Sequence, residues 1–453
     1  MYPDLIGNTD GVRYRVRDYA NRRSITRQLE RLRKRTRTEE RRNRALTTAE
    51  KIQLRNLEST RDQLADIERY VQEFGAPPVF LIAYAPQKYK GNGRVVVSIG
   101  DADTATNVTR HVGGFGTTLR SLSYRSKFAG AQYEVASRYA PDESQAAIID
   151  IGYHHPTKLV KGGEPVFPLD PMQTRFAEVG GYVVARDTVS YNATREALAA
   201  QLGIELPSRR TLIGHSYGTT TVCYAGRDGR LAKEIDQVIL TASPGAGPMT
   251  SAKEFGIGAA NVYALTSEGD PIAKLGAHTH GRRGRYLNRG LGIDPANEIW
   301  GAVRIAAEPP DTPAFKSGMQ IHQGYNSFVD IEDRIPTTAL NNIGLITSGL
   351  AAAATREKHR PAMDRPNLRE QSDTPTDPRQ RRLRAATGVF TPEQIAQIEE
   401  VIARLLALRD ADGNQPYAYL EDMPLPKPGE PFGADWVSHR HEWFQALLTG
   451  NLA

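Results

Sequence analysis

Between Arg209 and Val222 a short apolar run stops at Gly214, Ser216 stands between Gly214 and Gly218, and a helix-compatible run follows. A strand that turns at once into a helix lifts a serine hydroxyl clear of its sheet, in a turn too crowded for Cβ atoms on either side. The same turn aims the N–H groups of the first helical turn at any negative charge that develops beside Ser216. Gly-x-Ser-x-Gly also arises by chance, so the rest of the chain must supply a sheet, a base and an acid in the matching order.

The sheet is legible. From Pro77 onward, buried runs of strand length alternate with helical patterns. Val79–Tyr84 and Arg94–Ile99 read as strands in a hairpin-like start, joined through a turn at Lys88–Gly93. Asn107–Val112 runs into Gly113–Thr117, residues 119–140 read as helix, and Ala146–Tyr153 as another buried strand. Residues 154–182 are irregular and rich in Gly and Pro; a loop of that length inside a compact domain is expected to cap a pocket, here with Tyr153 and Phe167. A helix over 183–202 leads to the strand before Ser216. Strands then follow at Gln237–Thr241, Asn261–Thr266 and Trp300–Ala306, with a closing helix between Pro336 and Ala353 that holds the proline in its first turn. This alternation predicts an α/β fold, a mostly parallel sheet with helices on both faces. The predicted organisation is a basic helical hairpin over 1–76 and an α/β domain over 77–353, including the candidate lid at 154–182. A disordered linker over 354–390 follows, then an amphipathic helix (392–408) and Pro-rich tail within 391–453.

Charge is concentrated at the N-terminus. Residues 1–75 hold 18 Lys/Arg against 12 Asp/Glu, a surplus of six that equals the net charge of +6 of the whole chain. Acidic residues are interleaved and aromatic ones are not, so the arginines read as a solvated helix face, and nucleic acid is not expected as a partner. Either the hairpin or the 392–408 helix is a candidate surface for self-association. No apolar run approaches the ~20 residues of a membrane span, and residues 1–7 lack the pattern of a signal peptide. The single cysteine, Cys223, excludes an internal disulfide and reads as a buried thiol. These features predict a soluble, cytoplasmic protein, with export by a signal-less route still open. No metal or cofactor is expected: no His/Cys/Asp cluster has ligand spacing, and Asp410–Glu421 imitates a calcium loop with Gln415 where glycine is required.

A serine hydroxyl needs a base to take its proton and a third group to orient that base. Asp270, directly after the apolar run 261–266 and before Pro271, is the candidate acid, with Glu268 behind it. His322, after the last strand, is the candidate base, ahead of His278 and His280 in a basic loop; His439 and His441 read as surface residues. The N–H groups of Tyr217 and Phe115 are the candidate oxyanion donors. Gly114, His215, Tyr153 and Tyr325 are candidates to line the substrate pocket.

Together with Val79–Tyr84, Gly93–Thr104, Gly114–Thr117, Gly214–Gly218, Ser243–Gly247, Gly269-Asp270 and His322 with Tyr325, this order resembles an actinobacterial branch of the α/β-hydrolases over about residues 77–330. The resemblance implies a Ser216–Asp270–His322 triad and a serine hydrolase acting on carboxylic esters through an acyl-enzyme, on small-molecule or lipid-like acyl substrates. The chain departs from the branch at Gly113, where proline is usual, and at Ile321, where glycine is usual. An inactive scaffold that keeps the hydrolase fold is the alternative expectation.

Overall fold

Side chains alternate along each strand, and the two sets fill two cores. The computed structural model describes residues 3–157, 160–161, 164–165, 174–206, 208–273 and 291–358. Within them, helices α1 (Pro3–Ile6), α2 (Tyr14–Arg41) and α3 (Thr48–Tyr70) precede strands β1 (Val79–Ala85), β2 (Arg94–Ile99) and β3 (Asn107–Val112). Next come α4 (Leu122–Tyr139), β4 (Gln145–Ile151), a small ribbon of β5 (Val160–Lys161) and β6 (Glu164–Pro165), and α5 (Arg175–Leu202). The chain continues through β7 (Arg209–His215), α6 (Tyr217–Gly226), β8 (Gln237–Thr241), β9 (Val262–Leu265) and β10 (Val303–Ile305). It then forms α7 (Gly318–Gln323), a second ribbon of β11 (Phe328–Asp330) and β12 (Ile335–Pro336), and α8 (Thr338–Thr347).

The main sheet has eight strands in the order β1-β2-β4-β3-β7-β8-β9-β10. β2 pairs antiparallel with both β1 and β4, and every pairing from β4 to β10 is parallel. Leu212, Val238, Leu240, Val262 and Ala264 face one side and pack with Val183, Val184 and Val222 of α5 and α6. Their neighbours Ile213, Ile239, Tyr263 and Leu265 face the other side, against Ile343 and Ile346 of α8. Period two in the strands and two helical layers are thus one fact seen twice.

The arginine-rich hairpin belongs to this core. Ile25, Leu29 and Leu32 of α2 and Leu57, Leu64 and Ile67 of α3 are buried with Leu81, Val95, Val97 and Ile149 of the sheet. Met1–Pro366 accordingly forms one compact unit. The outward arginines meet acids across the hairpin, Arg33 with Glu58 at 3.0 Å and Arg35 with Glu50 at 2.8 Å.

Several elements depart from the sequence reading. α5 starts at Arg175 rather than 183, so eight residues expected as loop are its first two turns. Gly180 and Gly181 suggested irregular chain; instead they let α5 press on the Tyr153 ring and on the Tyr224–Ala225 backbone, where no Cβ fits. Trp300 lies before β10, fully buried, with Nε1 donating to Met249 O at 3.2 Å. Pro336 pairs with Phe328 in a ribbon, and Thr337 caps α8 in its place. Residues 355–357, expected as linker, run antiparallel along β10: Ala306 N–H donates to Thr355 O at 2.8 Å, and Glu357 N–H to Arg304 O at 3.0 Å. Phe167, His278, His280, His439, His441, the 392–408 helix and the Asp410 region lie outside the described residues.

Candidate active site

Four segments meet at the C-terminal ends of parallel strands: the loop after β3, the β7–α6 junction, the loop after β9 and the segment after β10. In open parallel sheets this rim is where ligands bind.

Ser216 sits between β7 and α6 with φ +56° and ψ −133°, a conformation that costs a non-glycine residue ~1–3 kcal/mol. Close packing holds it there. A Cβ on Gly214 would come within 2.7 Å of the Thr219 Cα, and one on Gly218 would press into the Val112 carbonyl. Ser216 N–H donates to Thr241 O at 3.0 Å, and its carbonyl accepts from the Thr219 hydroxyl at 2.7 Å. The Thr219 hydroxyl also bonds Ser243 Oγ at 2.7 Å, so the Ser243–Gly247 segment braces the helix start.

The loop after β3 lies against this turn. A Cβ on Gly114 would stand 2.8 Å from Ser216 Cβ and 3.0 Å from Tyr217 N, so only glycine leaves space beside both atoms. Tyr153, buried, donates its hydroxyl to Gly113 O at 3.0 Å and accepts from Thr221 at 3.1 Å. Tyr153 therefore fixes the loop from behind. Phe115 is half-buried in this loop, and the following N–H, of Gly116, donates to Pro156 O at 2.8 Å.

Asp270 and His322 form a buried pair. His322 Nδ1 lies 3.1 and 3.0 Å from the two carboxylate oxygens. The Asp270 carboxylate also accepts from Ile272 N–H at 2.8 Å and from the Tyr325 hydroxyl at 3.0 Å. Burial pushes the Asp270 carboxyl up, but the hydrogen bond and charge of His322, with these donors, bring it below its ordinary value. His322 lies on α7, a helix that Ser317 caps by accepting from Gln320 N–H at 3.2 Å.

His215 joins the two halves. Its Nε2 donates to His322 O at 2.8 Å, and the two rings lie 4.9 Å apart. Burial, followed by repulsion from His322 and Arg125, lowers the His215 ring to about 3, so it is neutral. The residue before Ser216 thus anchors the backbone of His322.

A model of the α/β hydrolase family matches residues 89–280. That span runs from the β1–β2 turn through the glycine loop, Ser216 and Asp270, and the sheet described above is the mostly parallel, helix-covered sheet that the match requires. Over those residues the chain is similar to the α/β hydrolases, and its fold is the α/β-hydrolase fold. Uncharacterised proteins from two strains of Mycobacterium tuberculosis are each 29% identical over 334 residues, covering 69% of this chain and 48% of their own length. The chain therefore spans about half the length of the curated relatives it matches. Among solved structures, an esterase from the archaeon Pyrobaculum calidifontis is 12% identical with a TM-score of 0.35, covering 67% of this chain and 94% of that one. EstE1, a carboxylesterase from a metagenomic library, is 13% identical with a TM-score of 0.30, covering 65% and 97%.

The family match ends before His322, so the position of that residue comes from the fold alone. Glu268, the other carboxylate considered, is 64% exposed and pairs with Arg304 at 3.3 Å. Tyr325 and His215, read from sequence as pocket-lining, are buried or nearly so and hydrogen-bonded to Asp270 and His322. Both departures from the family pattern are accommodated: Ile321 fills the space that Gly269 leaves, and Gly113 leaves room for Thr117. Sequence reasoning passed over Glu308, which accepts from the Ser267 hydroxyl and Glu268 N–H, both at 2.6 Å. It also passed over Arg125 on α4, which nothing in the sequence separates from other helical arginines. Among the described residues no group of three or more His, Cys, Asp or Glu could hold a metal ion. No helix among them is long and apolar enough to cross a membrane.

Proposed function

We propose that this chain is a hydrolase, a serine esterase in which Ser216 is the nucleophile, His322 the general acid/base and Asp270 the group that orients His322. The observation that carries this reading is the hydrogen bond from His215, the neighbour of the strained Ser216, to the backbone of the Asp270-bound histidine. It couples the nucleophile turn to the base.

In the proposed reaction Ser216 Oγ attacks the ester carbonyl carbon while its proton passes to His322 Nε2. The carbonyl oxygen gains the negative charge, facing the N–H groups of Tyr217 and Phe115 across the space that Gly114 keeps open. The C–O bond then breaks, and the alcohol leaves with the His322 proton. Water adds to the acyl-enzyme, giving its proton to His322, and the second collapse releases the acid and returns the proton to Ser216. Asp270 stays ionised throughout and stabilises the imidazolium.

Labelling with a fluorophosphonate probe tests this. Native protein is expected to label, and Ser216→Ala and His322→Ala are expected to lose labelling and ester turnover by ~10³-fold or more. Folded native protein that neither labels nor cleaves esters would overturn the reading in favour of an inactive scaffold.

A further inference from the structure

Next to the Ser216 turn, on the α4 face of the sheet, lies a partly open cavity whose walls include His111, Gly113, Thr117, Arg125, Phe128 and His215. Two of its walls are immediate chain neighbours of the site: His215 precedes Ser216, and Gly113 precedes Gly114. The cavity gathers several unmet polar atoms. Arg125 Nε and Thr117 Oγ1 are buried donors without a partner, and His215 Nδ1 is a buried ring nitrogen without one. Arg125 makes no ion pair with any described residue; its guanidinium lies 5.9 Å from the Phe128 ring centre and 5.6 Å from that of Tyr124. Asp150 also lines the cavity, but its carboxylate is bound through Oδ2 by Arg110, whose side chain also reaches Val184 O and Thr188 on α5. That places the carboxylate on the opposite face of the sheet.

A guanidinium whose Nε is buried without a partner is costly unless an acceptor completes it, and an anion does so best. Resting on the esterase reading, we propose that this cavity receives a carboxylate carried by the substrate, with Arg125 as counter-ion and Thr117 as a second donor. The substrates are then short acyl esters bearing a free carboxylate a few bonds from the scissile carbonyl. One guanidinium balances one negative charge, and much of the remaining wall is hydrocarbon from Val112, Ile149 and Ile213. A carboxylate is therefore favoured over a phosphate dianion, half of whose charge would stay uncompensated. Because His215 Nε2 donates to His322 O, its Nδ1 can only accept, and a water entering with the carboxylate supplies that donor.

The test compares the p-nitrophenyl esters of succinic and butyric acid, alike in chain length and differing in charge. Native enzyme is expected to favour the succinate ester in kcat/KM. Arg125→Met should lose roughly 10- to 100-fold on that ester and stay within about twofold on butyrate. Arg125→Lys, which keeps the charge, should fall between, and Thr117→Val should lose several-fold on succinate alone. A native enzyme without the preference, or an Arg125→Met loss equal on both esters, overturns the proposal. In a Ser216→Ala background, calorimetric binding of monomethyl succinate against methyl butyrate gives a readout free of turnover. Selective binding that weakens at least tenfold with Arg125→Met supports the anion site even if no ester is cleaved, in which case only the esterase reading falls. Equal binding of the two esters removes the site whatever the turnover.

Discussion

Arg110 and Arg125 both lie against aromatic rings on the same sheet, one on each face, and their surroundings are opposite. Arg110 lies 5.1 Å from the centre of the Tyr191 ring and donates to Asp150, to Val184 O at 2.8 Å and to the Thr188 hydroxyl. Asp187 closes the cluster by pairing with Arg94 at 2.9 Å and with Arg186. Among the described residues Arg125 has rings but no carboxylate partner. An ion-paired network holds β2, β3, β4 and α5 together; the proposed site leaves a cation in the cavity that His215 also lines, matched to an anion that arrives from outside. The same residue type thus does structural work on one face and stands ready for recognition on the other.

The largest expected effect breaks the closed side. Asp187→Ala strands Arg94 and Arg186 and should cost ~3–5 kcal/mol in chemical denaturation, whereas Arg125→Met, with no partner to strand, should change stability by ~1 kcal/mol or less. Equal losses in the two variants would erase the distinction. Gly114→Ala sharpens the open side. Its Cβ would meet the His215 carbonyl at 2.8 Å and Tyr217 N at 3.0 Å, so the loop must shift away from the proposed oxyanion space. We expect kcat to fall ~10²–10³-fold with the fold retained by circular dichroism, and an unchanged kcat would move the oxyanion hole elsewhere.

The smallest effect is common to both regions and concerns pH. Burial raises the carboxyls of Asp187 and Asp270 alike. In Asp187 the charges of Arg94, Arg186 and Arg110 overturn that effect, and in Asp270 the His322 bond does. Both therefore lie below the ordinary 3.8. A depressed folded pKa contributes stability above the unfolded value that is lost as pH falls. Thermal midpoints should hold down to about pH 4 and drop below it, with a shallower drop in Asp270→Asn. An acid slope unchanged in that variant would show that Asp270 is not held ionised by its partners.

Local pattern determined a good deal. Period two placed the strands, the glycines around Ser216 placed the turn, and Gly269-Asp270-Pro271 after an apolar run marked a candidate acid, because each is a property of a few consecutive residues. The tertiary structure decided which candidates meet. Asp270 reaches His322 across 52 positions while Arg304 draws Glu268 outward. His215 reaches His322 across 107, and Tyr325 turns from the pocket to Asp270. Arg125 shows the limit most clearly. Its meaning is that no described carboxylate pairs with it, and which side chains surround a residue is set by packing between distant segments, not by its neighbours in the chain.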